Sequence, residues 1–485
     1  MIRSTSIAAL ALVIAAAPLA APLAAQQLDR SKKPAAGPRP AVAAPKVVKA
    51  TLPNGLQVWT VTQRELPTVN ASLIIRAGAA NDAAHPGIAQ VTASLLDEGS
   101  TRRTALEFAQ AVDFLGASLF AGAGSEETQV SLQTLKKHAD SAFSLMGELV
   151  TQPAFRAEEL ERERKSRLQS LRQQKDQPGT IATQLFARTV YGVEHPYGHP
   201  SNGTLASIGA LTRDDVARFY GSYYRPNNAV LIVVGDVTPA EASALARRAF
   251  AAWQRGDVPK DAAAIPARPA PQKTAILLVD KPGAAQSEIR IGHPGVARTS
   301  PDYYAIQVLN AALGGQFASR INMNLREAKG FTYGARTGFT AGRGEGPFVA
   351  SAGVFTGKTD SSLVEFFREL RDVREGRPLT PAEVDFAKKS VIQAYPRRIE
   401  TNAGVAGTLA ELALYGLPEA ELTGYLAKLD AVKPADVTRV AQKYLSPENS
   451  VVVVVGDVEK IRPGIAALGL GPVTVVDPEG KPVSN

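Results

Sequence analysis

The sequence predicts an α+β protein made of two homologous domains, an internal duplication in which each copy is a mainly antiparallel sheet packed with helices. Three observations carry that expectation. Residues 217–237 (ARFYGSYYRPNNAVLIVVGDV) align without a gap onto residues 438–458 (TRVAQKYLSPENSVVVVVGDV), an offset of 221 positions. Tyr223 falls on Tyr444, Pro226 on Pro447, Asn228 on Asn449, and Gly235-Asp236 on Gly456-Asp457. A period this long is no solenoid and marks a duplicated domain. Strand-like and helix-like segments mix without strict alternation, which favours α+β over a doubly wound sheet. Between residues 254 and 272, proline, glycine and alanine take over, as in an interdomain linker.

These signals set the expected boundaries: a first domain at 46–254, a linker at 255–272, a second domain at 273–476 and a tail at 477–485. Residues 1–25 carry Arg3, an apolar run over 7–23 and a closing Ala24-Ala25, the pattern of a secretory signal peptide. A membrane anchor is the alternative, but Pro18 and Pro22 interrupt the run. Residues 26–45 are rich in Pro, Ala, Lys and Arg and read as a disordered tail. The expected location is periplasmic or secreted. No later run approaches the roughly 20 apolar residues that span a bilayer, so no stable membrane insertion is expected. With no cysteine, disulfides and thiolate metal sites are excluded. The formal charge of +8 is spread along the chain, and the densest stretch, 162–172, is interrupted by Glu163 and preceded by Glu161. It reads as a solvated helix face, which argues against a nucleic-acid partner.

In order, 56–61 and 71–76 have strand character, and 87–100 reads as one short helix with Pro86 at its first position and Gly99 as its stop. A helix at 104–115 carries a Thr104/Glu107 capping box and stops at Gly116. A hairpin over 117–134, a helix at 137–151 and a long charged helix at 155–174 follow, with Pro178-Gly179 just beyond. The first domain closes with a helix at 211–224 capped by Thr212, an apolar strand at 228–234 and a helix at 239–253. The second opens with a strand at 274–279. Residues 316–330 read as a helix with Lys329 in its last turn and Gly330 as its stop, followed by a strand from Phe331. Gly342, Gly344 and Gly346 lack the Lys-Ser/Thr of a phosphate loop and read as a turn.

The stretch GIAQVTASLLDEGS at 87–100 resembles the metal-binding helix of the pitrilysin/insulinase (M16) peptidases, which reads Gly-Ile/Leu-Ala-His-x-x-Glu-His. That chemistry needs two imidazoles at i and i+4 for zinc and a carboxylate as general base. Here the three positions are Gln90, Ala93 and Ser94, none of which can serve. The family's third ligand is a Glu some seventy residues on, where Glu161 or Glu163 lies. Residues 195–203 (HPYGHPSNG) and 120–128 (FAGAGSEET) also resemble the family, the latter its substrate-pairing edge strand. So does 316–339 (QFASRINMNLREAKGFTYGARTGF), where Arg326 and Tyr333 match the family's substrate-binding pair. The resemblance covers about 46–475 and implies a short, two-domain subunit lacking the zinc motif.

Among five histidines only His195 and His199, preceded by Glu194, have ligand-like spacing, and Pro196, Gly198 and Pro200 break the helix they would need. No metal is expected in this chain. The Gly-x-Ser-x-Gly elbow is absent and there is no thiol nucleophile. The resemblance implies a zinc-free subunit of a heterodimeric peptidase, inactive alone, that holds unfolded peptide for a zinc-bearing His-x-x-Glu-His partner. The alternatives are a non-catalytic scaffold or peptide-binding protein, and, further off, an independent hydrolase using Glu194, His195 and His199.

Overall fold

The computed structural model describes residues 43–259 and 265–483. The expected signal peptide and nearly all of the expected 26–45 tail lie outside the described residues. Among the described residues, twelve strands form two six-stranded sheets. The first contains β1 (Val48–Thr51), β2 (Gln57–Thr62), β3 (Thr68–Ile75), β4 (Ser118–Ala123), β5 (Thr128–Leu135) and β6 (Ala229–Gly235), in the order β1-β2-β6-β3-β5-β4. The second contains β7 (Ala275–Asp280), β8 (Gln286–Val296), β9 (Thr332–Phe339), β10 (Gly346–Phe355), β11 (Val451–Gly456) and β12 (Val473–Val476), in the order β12-β7-β11-β8-β10-β9.

Five strands correspond one to one. The pairs β2–β6 and β7–β11 are parallel, and the next three pairs in each sheet are antiparallel. The flanks differ, since β1 runs antiparallel to β2 whereas β12 runs parallel to β7. The repeat seen in the sequence carries through to the helices. Arg213–Tyr223 and Pro434–Tyr444 begin and end at equivalent positions, as do the 3-10 turns Pro226–Asn228 and Pro447–Asn449. This is the α+β two-domain architecture that the sequence predicts.

Every residue of β6 and of β11 is buried. A central strand of an open sheet is buried on both sides only when both faces are covered, and here the covers come from different halves. Leu231 and Val233 pack with Met146 and Leu149 of the first half's own helix Ala139–Thr151. On the opposite face Val230, Ile232 and Val234 share a core with Leu409, Leu412 and Ala413 of helix Asn402–Tyr415, which belongs to the second half. The reverse exchange holds at the second sheet. Helix Pro178–Tyr191 lays Ile181, Leu185 and Phe186 on Val451, Val453 and Val455. The two sheets accordingly belong to one compact unit.

Three elements depart from the sequence expectation. Pro178, expected only as a residue just past the charged helix, starts a further helix at its first position, where the missing N–H costs nothing. The 87–100 helix is shortened to Ile88–Ser94: Gly87 is its N-cap at φ 95°, Pro86 lies outside it, and the chain turns before Gly99. A side chain at Gly87 would strike Gly203 and Ile208. The 316–330 helix is reduced to Arg320–Asn322 followed by a π-helical turn, Met323–Ala328. Among the described residues no helix is long and apolar enough to cross a membrane.

Candidate functional site

Helix Ile88–Ser94 is anchored at its start by Asp82. The Gly87 and Ala89 N–H groups donate to its two carboxylate oxygens at 2.6 and 3.0 Å. Asp82 is 2% exposed, and burial lifts its pKa to about 7 against those two bonds. This arrangement fixes where positions 90, 93 and 94 point. Gln90 donates from Nε2 to the Ala123 carbonyl at 2.7 Å, which ties the helix to the end of β4. Ala93 is fully buried in the first core. Ser94 accepts from Arg167 Nη2 at 2.7 Å, and the same nitrogen donates to the Gln90 carbonyl at 3.2 Å.

Arg167 lies on helix Ala157–Gln174, where Leu160, Glu163, Arg167 and Leu171 form one inward stripe. Its Nε donates to Glu163 at 2.6 Å, and the two side chains are only 15% and 16% exposed. Glu161 points elsewhere, bonding Arg164, which in turn holds the 208, 209 and 211 carbonyls. Of the two candidate carboxylates, Glu163 is the one that joins this network. The 162–172 stretch is therefore partly structural, which its charge pattern alone does not reveal. Nearby Asp97 is pushed to about 6, chiefly by burial and then by Glu98 and Glu163. The donor set does not fit a zinc ion. One amide is committed to a carbonyl, one position has no functional group, and the hydroxyl already faces a cation. Sequence reasoning missed Arg167. Its signal was the stripe that places it between two buried leucines.

The last strand of each sheet, β4 and β9, leaves one edge unpaired within the sheet. Phe120 stands 57% exposed on β4, which holds the first part of the 120–128 segment. Arg326 sits in the π-helical turn, closed by the Lys329 N–H donating to the Asn324 carbonyl at 3.0 Å. Such turns re-aim side chains and recur at functional sites. The Arg326 guanidinium lies 4.7 Å over the Phe317 ring and 3.2 Å from Glu327, both charges being about 40% exposed. Tyr333, on β9, is 76% exposed with its ring 6.0 Å from Phe355. Among the described residues no bond or ring contact joins either residue to the 88–94 helix.

Of the rival histidines, His195 is otherwise engaged, and Nδ1 of His199 is buried without a hydrogen-bond partner among the described residues. His195 accepts the Tyr197 N–H at Nδ1 (3.0 Å), donates from Nε2 to the Pro266 carbonyl (2.9 Å) and stacks on Tyr191. Burial lowers the pKa of His199. Among the described residues no cluster of three or more His, Cys, Asp or Glu side chains is arranged to hold a metal. A cavity of about 850 Å³ lies beside them, lined by residues that include Glu127, His199, Gly342 and Tyr415. At its wall the buried Glu126 accepts the Arg343 N–H at 3.0 and 3.1 Å and the Tyr197 hydroxyl, fastening the β4–β5 turn to the β9–β10 turn.

Comparison with known proteins assigns this arrangement. Residues 57–200 match the profile of insulinase (peptidase family M16) and residues 210–391 that of the peptidase M16 inactive domain. The chain belongs to the M16 peptidase family. An uncharacterized zinc protease of Streptomyces coelicolor is 27% identical over 417 residues, spanning 84% of this chain and 89% of its own length. The zinc protease PqqE of Helicobacter pylori is 25% identical over 413 residues, spanning 84% and 92%. A crystal structure of a peptidase M16 inactive domain from Pseudomonas fluorescens superposes with a TM-score of 0.79 at 28% identity, covering 84% of this chain and 98% of that one. In this M16 chain the 88–94 helix offers no imidazole or carboxylate at positions 90, 93 and 94.

Proposed function

We propose that this M16 chain is the zinc-free subunit of a heterodimeric metallopeptidase, holding the backbone of an unfolded peptide while a His-x-x-Glu-His partner cleaves it. The carrying observation is the pairing of a ligand-free 88–94 helix with Arg326 and Tyr333 exposed beside the free edge strand β9. An exposed Arg–Glu pair contributes little to stability, so Arg326 can leave Glu327 for a peptide carbonyl at small cost. Its guanidinium donates only, which suits carbonyl oxygens and the oxyanion that forms during amide hydrolysis. Free edge strands accept an extended peptide through backbone bonds, which selects unfolded chains over folded proteins.

The test is a peptide-cleavage assay of this chain alone, the zinc-bearing partner alone and the two mixed. Turnover that appears only in the mixture supports the reading. Equal turnover by the partner alone removes it and leaves a scaffold.

A further inference from the structure

We infer that the Arg167 guanidinium stands in for the metal: it cross-links the 88–94 helix to the 157–174 helix and bars a divalent cation from the same place. The inference rests on reading 88–94 as an M16 metal helix, and not on the peptide-holding role.

Positions 90 and 94 lie one turn apart on one helix face, the spacing at which two imidazoles share an ion. In this chain the group that bridges those positions is a guanidinium. Nη2 bonds the Ser94 hydroxyl at 2.7 Å and the Gln90 carbonyl at 3.2 Å, while Nε bonds Glu163 at 2.6 Å. A cation, two residues of the metal helix and a carboxylate from the neighbouring helix are thus brought together by three hydrogen bonds. The two helices are tied as a metal would tie them, with donors pointing where a metal would accept.

A guanidinium at hydrogen-bond distance repels any divalent ion placed against Ser94, and its low exposure limits screening by water.

The test grafts ligands into the full-length chain by combining Gln90→His with Ser94→His. This pair is made once with Arg167 in place and once with Arg167→Met, which keeps most of the bulk and loses the charge. Zn²⁺ binding is read by competition with a chromophoric chelator. The expected result is a Kd at least tenfold tighter in the Arg167→Met background than with Arg167 retained. Arg167→Met on its own should gain no affinity, because Gln90 and Ser94 supply no imidazole. Equal affinity in the two backgrounds, or binding in neither, overturns the inference. The unsubstituted chain gives a second readout that needs no variant to fold. A strong chelator should leave its Tm unchanged, and a chelator-dependent fall would overturn the inference. Unchanged turnover in an Arg326→Ala complex would remove the peptide-holding role and leave these results standing.

Discussion

The two halves share five strands in the same order, yet their free edges have diverged. Along the β4 edge the neighbouring 88–94 helix carries no metal-binding group at positions 90, 93 and 94 and is stitched to Ala123 by Gln90. Along the β9 edge Arg326 and Tyr333 stand out from the surface, bound to little. The strands inside each sheet have had no such freedom, because β6 and β11 are packed on both faces and each residue change is felt by two layers. The two copies agree where packing constrains them on both faces and differ where one edge faces outward.

The sharpest way to break this symmetry is at equivalent glycines. Gly235 has φ 145°, and an added Cβ would meet the Thr68 carbonyl at 2.2 Å. At Gly456 the nearest obstacle is the Ser287 hydroxyl at 2.5 Å, a side-chain atom where Gly235 meets backbone. Gly235→Ala should cost about 3–5 kcal/mol of stability and Gly456→Ala about 1 kcal/mol, read by denaturant midpoints. Equal losses would show that the two closing strands are held alike after all. Next in size, Arg326→Ala should raise the barrier for turnover by the assembled complex by about 2–4 kcal/mol with the melting temperature unmoved. Turnover at the parental rate would remove Arg326 from the reaction.

Asp82 gives a pH test confined to the first half. Its folded pKa, about 7, lies above the ordinary carboxylate value of 3.8, so the folded state binds the proton more tightly than the unfolded state. Its contribution is therefore most favourable below pH 4 and is lost as pH rises through 7. Asp82→Asn should flatten the fall in stability between pH 4 and 7 by about 2–3 kcal/mol. Asp97, raised to about 6, leaves a residual slope of the same sign. An unaltered slope in the Asn variant would place the titration elsewhere. The smallest effect expected is that of Ser94→Ala, a loss of about 1 kcal/mol from removing one acceptor of a charged donor, measured by thermal melting. No loss would mean that Glu163 and the Gln90 carbonyl hold Arg167 by themselves.

Much of this was legible in the sequence because it rests on local rules. The gapless repeat gave the duplication, and the Thr104, Thr212 and Gly330 signals marked element ends that the structure keeps. The lack of an imidazole or carboxylate at 90, 93 and 94 could be read directly. What failed was non-local. Ile181, Leu185 and Phe186 show a helical face, but nothing in their spacing says that the face belongs to strands nearly 270 residues away. Pro178 reads as punctuation because proline ends helices as readily as it begins them. The π-helical turn at 323–328 has no composition of its own. Arg167 sits unnoticed in a charged run, since a cation meant for the interior is spelled like one meant for water.

The exchanged helices have an evolutionary consequence. Helix Pro178–Tyr191 is encoded in the first copy and roofs the second copy's sheet, and Asn402–Tyr415 does the reverse. A substitution at Leu185 is therefore judged by Val453, and one at Leu409 by Ile232, so neither copy can drift without the consent of the other. Each half is completed by the other, and a gene fragment carrying one of them would encode a sheet without its roof.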